Sequence, residues 1–352
     1  MKVLSVASAR PNFVKLAAVH YAIASHPDIE HVILHTGQHY DPLFSDIFFE
    51  QLSIPLPTEN LGIAGGTREE VIERTEQACL SVLKNIRPDT VLVYGDVNGA
   101  LGAARAAKSL GIRIGHVEAG LRSFDLSMPE ELNRIEIDGL ADHLFCSEES
   151  GVSNLQNEHT TGEIHLVGNT MIDTLIRMHP EIQKASVPEM PKSPYATVTL
   201  HRPSNVDTKQ ALSENLQFLA AVGEHLPLLF PLHHRVKAAM STFSLTLPPN
   251  IIACEPFGYI PFLHVVQNSE FLLTDSGGIQ EEATFLQKRC FTLRRNTERP
   301  STIESGSNVL IDPASTHDRK LVLSFAKTPT AVCIETPALW DGKAGERICK
   351  HL

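Results

Sequence analysis

The 352-residue sequence contains no stretch approaching the roughly 18 consecutive apolar residues of a membrane span, which excludes a helical transmembrane protein. It lacks a surplus of positive charge: 30 Lys and Arg stand against 41 Asp and Glu, a formal net charge of -11. That balance argues against gripping nucleic acid or an anionic membrane, so any phosphate must be held by a local cluster. None of the six cysteines forms a C-x-x-C pair, so neither a zinc ribbon nor a thioredoxin-type site is signalled. Isolated thiols in a chain of this length fit a reducing, cytoplasmic setting. His31, His35 and His39 are not spaced to converge, and no metal is expected. Also missing are G-x-G-x-x-G and G-x-x-x-x-G-K-[ST], the fingerprints of dinucleotide binding and of P-loop ATP hydrolysis, and no cofactor is expected. The apolar opening Met1–Ala9 is too short for a signal peptide and runs straight into Arg10-Pro11, so it reads as a buried first strand.

What is present is alternation. Apolar runs such as Lys2–Ala7, Thr90–Tyr94 and Ile112–His116 are each followed by a helical stretch, among them 12–24, 67–85, 100–110 and 131–140, and a helix is also expected over Pro42–Leu52. The pattern restarts at Ala196–Leu200 and continues through Phe271–Thr274, Cys290–Leu293 and Asn308–Ile311. Repeated strand–helix units imply two doubly wound, Rossmann-like α/β domains with parallel sheets and a ligand cleft between them. Composition shifts near Lys184–Pro194, and the division is placed there or slightly before it, with domains over 1–168 and 169–340.

In such folds chemistry collects just after strands. Ser8-Ala9-Arg10-Pro11-Asn12, with Lys15, opens a helix whose backbone amides and cations suit an anion. Gly95-Asp96 sets a carboxylate at a strand end. His116-Val117-Glu118, with Arg122, Glu130, Glu131 and Arg134, gathers carboxylates and arginines suited to acid/base work. His201-Arg202-Pro203 ends the first strand of the second domain, and His233-His234-Arg235 repeats that arrangement one strand later. Thr274-Asp275-Ser276-Gly277-Gly278 is a strand end followed by a turn whose glycines let amides approach a phosphate, and Glu282 follows one helical turn on, where a carboxylate reaches sugar hydroxyls.

Together with Gly37-Gln38-His39, Gly120-Leu121-Arg122, Pro129-Glu130-Glu131-Leu132-Asn133-Arg134 and Thr297-Glu298-Arg299-Pro300, these words resemble the non-hydrolysing UDP-N-acetylglucosamine 2-epimerase family from Lys2 to about Ile311. The resemblance implies a glycosyltransferase-B-type pair of domains, a C-terminal helix over about 341–352 packing back on the first domain, a homodimer, and reversible inversion at C2 of a UDP-2-acetamido sugar. It implies Asp96, Glu118, Glu130 and His201 as catalytic groups. Arg10, Lys15, His233, Phe262, Ser276, Gly277, Gly278 and Glu282 become nucleotide-sugar contacts: Arg10 and the 276–278 turn for the diphosphate, Glu282 for the ribose, Phe262 near the uracil. The family's route is elimination of UDP to a 2-acetamidoglucal followed by re-addition, which needs no nicotinamide. Subfamilies act on UDP-2,3-diacetamido-2,3-dideoxyglucuronate, and the opening words lean partly that way. A hydrolysing relative, an acceptor-dependent glycosyltransferase of the same fold and an inactive nucleotide-sugar sensor are the competing readings.

Overall fold

The computed structural model describes residues 1–37 and 48–352. Most of the expected 42–52 helix, and the positions Gln38 and His39, lie outside the described residues. Two compact units form: Met1–Met178 with Ala338–Leu352, and His179–Pro337.

The N-terminal unit carries seven parallel strands in the order β3-β2-β1-β4-β5-β6-β7. They are β1 (Lys2–Ala7), β2 (Glu30–His35), the two-residue β3 (Glu59–Asn60), β4 (Thr90–Tyr94), β5 (Arg113–Val117), β6 (His143–Cys146) and β7 (Glu163–Leu166). The C-terminal unit carries six in the order β10-β9-β8-β11-β12-β13: β8 (Ala196–Thr199), β9 (Leu228–Pro231), β10 (Ile251–Cys254), β11 (Phe271–Thr274), β12 (Arg289–Thr292) and β13 (Asn308–Leu310). Both are doubly wound. The chain reverses direction across β1/β4 in one sheet and β8/β11 in the other, and at such switch points the strand ends open a crevice.

Local chemistry explains the framing elements. The central strands β4 and β11 are buried along their whole length because helices cover both faces of a parallel sheet. Helix Arg68–Ile86 starts with a reciprocal cap, Thr67 accepting from the Glu70 amide while Glu70 accepts from the Thr67 amide at 2.8 Å, and it ends at Arg87 in the left-handed region. It lies tight against the alanine-rich helix Asn98–Ser109. A Cβ at Gly102 would come within 2.7 Å of the Ile72 carbonyl oxygen, so only glycine permits that approach.

The unit boundary at Met178/His179 falls ten residues beyond the expected 168/169. Helix Thr170–Lys184 begins by binding the first unit: Thr174 Oγ1 donates to the Val14 carbonyl at 2.7 Å, and Asp173 accepts from the Gly345 amide at 2.8 Å. Further along the same helix, the Ile182 carbonyl accepts from His264 of the second unit. The Lys184–Pro194 stretch belongs wholly to the second unit, where Val187 packs with Tyr195, Leu229 and Val265. Near the end of the chain, helix Ala344–Cys349 lies on helix Arg10–Ile23, with Gly345 close to the Ala18 carbonyl, and Arg347 donates to the Val167 carbonyl at 3.0 Å. Among the described residues no helix is long and apolar enough to cross a membrane.

Candidate active site

In the N-terminal unit the site grows from the ends of β1, β4 and β5. Asn12 sets the first turn: its side-chain oxygen accepts from the Ser8 and Ala9 amides at 3.1 and 2.9 Å, and its nitrogen donates to the Tyr94 carbonyl at 2.8 Å. Those two amides, just ahead of helix Arg10–Ile23, are engaged by Asn12. Gly95, at φ +64°, turns the chain immediately after β4. A Cβ there would sit 3.1 Å from Lys15 Nζ and 3.4 Å from Glu118 Oε1. Lys15 and Glu118 form an ion pair at 2.7 Å, each side chain only 5% exposed. Glu118 holds φ +73°, a conformation that costs a non-glycine residue energy and persists where the surroundings fix it.

Beside this pair, Arg134 binds the Asp96 carboxylate, and Asn133 donates to the Asp96 carbonyl at 2.8 Å. Asp96 thus stands at the β4 end with its carboxylate oriented by a buried guanidinium. Glu130 is half-buried in the first turn of helix Pro129–Leu140. Its neighbour Glu131 is a structural acid: it accepts from the Ser123 amide, the Ser123 hydroxyl and the Phe124 amide, each at 2.9 Å, and so shapes the loop after Arg122. His116 is likewise structural. It is fully buried between Asp138 at 2.7 Å and the Gly95 carbonyl at 2.9 Å. Burial alone would raise the Asp138 carboxyl, but His116 and Arg122 outweigh it and hold the group below its ordinary value.

In the C-terminal unit the site grows from the neighbouring ends of β8 and β11. His201 Nδ1 lies 3.0 Å from Asp275 Oδ1. Asp275 is fully buried and also accepts from the His201 and Arg202 amides and from Asn205 Nδ2. Burial would raise its carboxyl; the hydrogen bond and charge of His201, with the Arg202 amide and Asn205, overcome that and keep it ionised below the usual range. In the neutral imidazole, an Nδ1–H donated to Asp275 leaves Nε2 as the base. The ring of His233, which caps helix His234–Phe243, lies 5.6 Å from that of His201.

Ser276 follows Asp275 directly and caps helix Gly277–Phe285, which gives the expected strand–turn–helix arrangement for an anion. Gly277 has a second reason to be glycine, since a Cβ would strike Glu298 Oε1 at 2.6 Å and Arg299 Nη1 at 2.8 Å. Behind the turn runs a buried chain of alternating charge. Glu281 pairs with Arg299 at 2.9 Å, Arg299 with Glu298 at 2.6 Å, and Glu298 with Arg294 at 2.8 Å. Glu282, buried beside it, is a third carboxylate against two guanidiniums. Its burial first, then the Glu281 charge, push its carboxyl up to about 8, against a hydrogen bond from Tyr259. A protonated carboxyl both donates and accepts, which suits a vicinal diol. Phe262 is half-buried and packs against Val266, Leu272, Ala283 and Cys290.

Asp275 and the Arg294–Glu298–Arg299–Glu281 chain carry no assigned role in the sequence motifs. The signal was present as charged residues within otherwise apolar surroundings, but the pairing depends on β8, β11 and β12 being neighbours.

Glu282 gives a pH signature. Between its ordinary value of 4.5 and about 8, the folded protein keeps a proton that the unfolded chain has released, so stability falls as pH rises through that window. The contribution is about 1.4 kcal/mol per pH unit at its steepest. Glu282→Gln is expected to remove this component, gaining on wild type from pH 5 to pH 8.5. Urea unfolding of both proteins across that range checks it, and parallel pH profiles would refute the assignment.

A family model described as UDP-N-acetylglucosamine 2-epimerase matches residues 21–352. The chain is similar to the UDP-2,3-diacetamido-2,3-dideoxy-D-glucuronate 2-epimerase of Pseudomonas aeruginosa, with 37% identity covering 100% of this chain and 99% of the relative. It is as similar, at 37% over 100% and 99%, to the UDP-N-acetylglucosamine 2-epimerase of Methanocaldococcus jannaschii. A crystal structure of the M. jannaschii enzyme in complex with UDP-GlcNAc and UDP superposes with a TM-score of 0.93 at 35% identity, covering 100% and 99%. The chain belongs to the UDP-N-acetylglucosamine 2-epimerase family.

Proposed function

We propose that this chain interconverts UDP-N-acetylglucosamine and UDP-N-acetylmannosamine by eliminating and re-adding UDP. A base removes the C2 proton, the C1–O bond to the diphosphate breaks, and the electron pair of the C–H bond becomes the C1=C2 bond of a 2-acetamidoglucal. UDP then re-forms the C1–O bond while an acid delivers a proton to the opposite face of C2. The sum is redox-neutral.

One observation supports this reading above the others. The oriented imidazole of His201 and the Ser276-Gly277-Gly278 helix start are brought together in the C-terminal unit, because Asp275, which holds the imidazole, immediately precedes Ser276. A proton carrier and an anion cradle are what this elimination requires together. In this reading Asp96, Glu118, Glu130 and His201 move protons. Arg10 and the 276–278 amides take the diphosphate charge, Glu282 takes the ribose, Phe262 the uracil, and Lys15 and His233 make further contacts. A homodimer in the cytoplasm is part of the same proposal. The Pseudomonas aeruginosa relative, matched over the whole chain, favours a second substrate for the same chemistry, UDP-2,3-diacetamido-2,3-dideoxyglucuronate.

Incubation with UDP-N-acetylglucosamine in D2O is expected to place deuterium at C2 of both epimers, read by proton NMR. Recovery of protiated C2 in all product, or release of UDP and free N-acetylmannosamine in equal amounts, would reject the mechanism. Parallel kcat/KM values for the diacetamido acid decide between the two sugars.

A further inference from the structure

A cluster that the reaction does not use lies at the edge of the N-terminal sheet. In the parallel register β6 and β7 pair His143 with Glu163 and Phe145 with His165. Residues two apart on a strand share a face, so these four side chains project together. His143 Nδ1 and His165 Nε2 are 3.2 Å apart. Glu163 Oε2 lies 3.7 Å from the first and 3.6 Å from the second. Those last two distances are too long for hydrogen bonds, but they are close to the separation of about 3.3 Å between two ligands of one tetrahedral ion. The circle through the three atoms has a radius of about 2.0 Å, the length of zinc bonds to imidazole nitrogen and carboxylate oxygen, and a shift of the exposed Glu163 carboxylate to about 3.3 Å from each nitrogen brings the three into tetrahedral placement.

The rings are held in place from behind. Phe145 is fully buried and stacks on both imidazoles, with centroids at 6.1 Å for His143 and 5.5 Å for His165. His351, the penultimate residue, lies against His165 with centroids 3.9 Å apart. The two histidines are mostly covered, whereas the Glu163 side chain is 73% exposed, so a fourth position opens to water. Two imidazoles and one carboxylate are a donor set that zinc accepts in open sites.

We propose that His143, Glu163 and His165 form a zinc(II) site with one water-filled position. His143 and Glu163 begin their strands, so the site lies at the opposite end of the sheet from Gly95, Asp96 and Glu118, which follow strand ends. Bound there, zinc bridges the last strand of the sheet, β7, to β6. The sequence hides the site because His143, 20 and 22 residues before Glu163 and His165, meets them only through strand register.

The full chain, stripped with chelator and dialysed against zinc chloride, is expected to retain one equivalent of zinc by elemental analysis. Glu163→Gln, at an exposed position, and His165→Gln are each expected to weaken that binding at least tenfold. Added zinc is expected to raise the melting temperature of wild type and leave that of the variants unchanged. With seventeen histidines and six cysteines in the chain, zinc could bind elsewhere. Retention of the equivalent by either variant would therefore overturn the site, as would a wild type that holds no zinc. Cobalt(II) substitution gives an independent readout: visible bands of a four-coordinate ion are expected in wild type and absent from both variants.

Discussion

Replacing Glu118 by Gln is expected to lower kcat by about 10²–10⁴-fold, the range for loss of a positioned acid/base group. The same change strips the ionised partner from Lys15, whose side chain is as buried as that of Glu118. A buried charge deprived of its partner costs about 3–5 kcal/mol. For units of this size, that corresponds to a melting temperature lower by roughly 10 °C. The two effects have different origins and separate in a second variant. Lys15→Met on the Glu118→Gln background removes the stranded cation, so the melting temperature is expected to recover while kcat stays low. Rates measured well below both transitions, with melting curves for the single and double variants, decide the matter. A Glu118→Gln enzyme within threefold of wild-type kcat would leave Glu118 a structural counterion and remove it from the proton-moving set.

The strands were legible because a parallel sheet buried on both faces writes itself as short apolar runs. β1, β4 and β11 fall on the residues expected. The helices read less well where little of their surface is buried. Helix Glu149–Asn157 buries only Gly151 and Leu155, and helix His234–Phe243 only Val236, so neither carries an apolar stripe that periodicity can detect. Helix Thr170–Lys184 carries Pro180, which reads as a break although the helix runs through it. This helix also displaced the domain boundary, since its first turns bind Val14 and Gly345, residues remote in sequence.

The candidate site follows the same rule. Glu118, Asp96, His201 and Ser276 stand out in the sequence because each lies within two residues of a strand end, where doubly wound folds present their chemistry. The division of labour within each charged group was not legible. Glu130 and Glu131 are adjacent in the sequence, yet Glu131 spends both carboxylate oxygens on the Ser123 and Phe124 loop. His116 looks as available as His201, but the Asp138 carboxylate and the Gly95 carbonyl occupy both its nitrogens. Hydrogen-bond partners drawn from a neighbouring loop, a helix and another strand end mark a side chain as a brace, and the order of residues does not contain them.

The second large effect is expected at Asp275. Asn at this position keeps the shape but exchanges a carboxylate for an amide, whose NH2 must face donors: the His201 and Arg202 amides, Asn205 Nδ2 or the imidazole N–H. One buried donor is then left unmatched, at a stability cost of about 1–3 kcal/mol. The imidazole also loses the acceptor that fixes its proton on Nδ1, so kcat is expected to fall by about 10²–10⁴-fold, as when an orienting carboxylate is removed from a histidine base. Affinity for UDP, titrated by calorimetry, is expected to stay within threefold, because the helix start at Ser276 keeps its capping position. In the proposed mechanism Asp275 acts only through His201, and a double-mutant cycle reads this directly. In a His201→Gln background, Asp275→Asn is expected to change kcat by less than threefold, since the group it positions is already gone. A general weakening of the fold would instead multiply with the loss at His201, and full additivity of the two rate losses would show that Asp275 acts on the reaction by some route other than the imidazole.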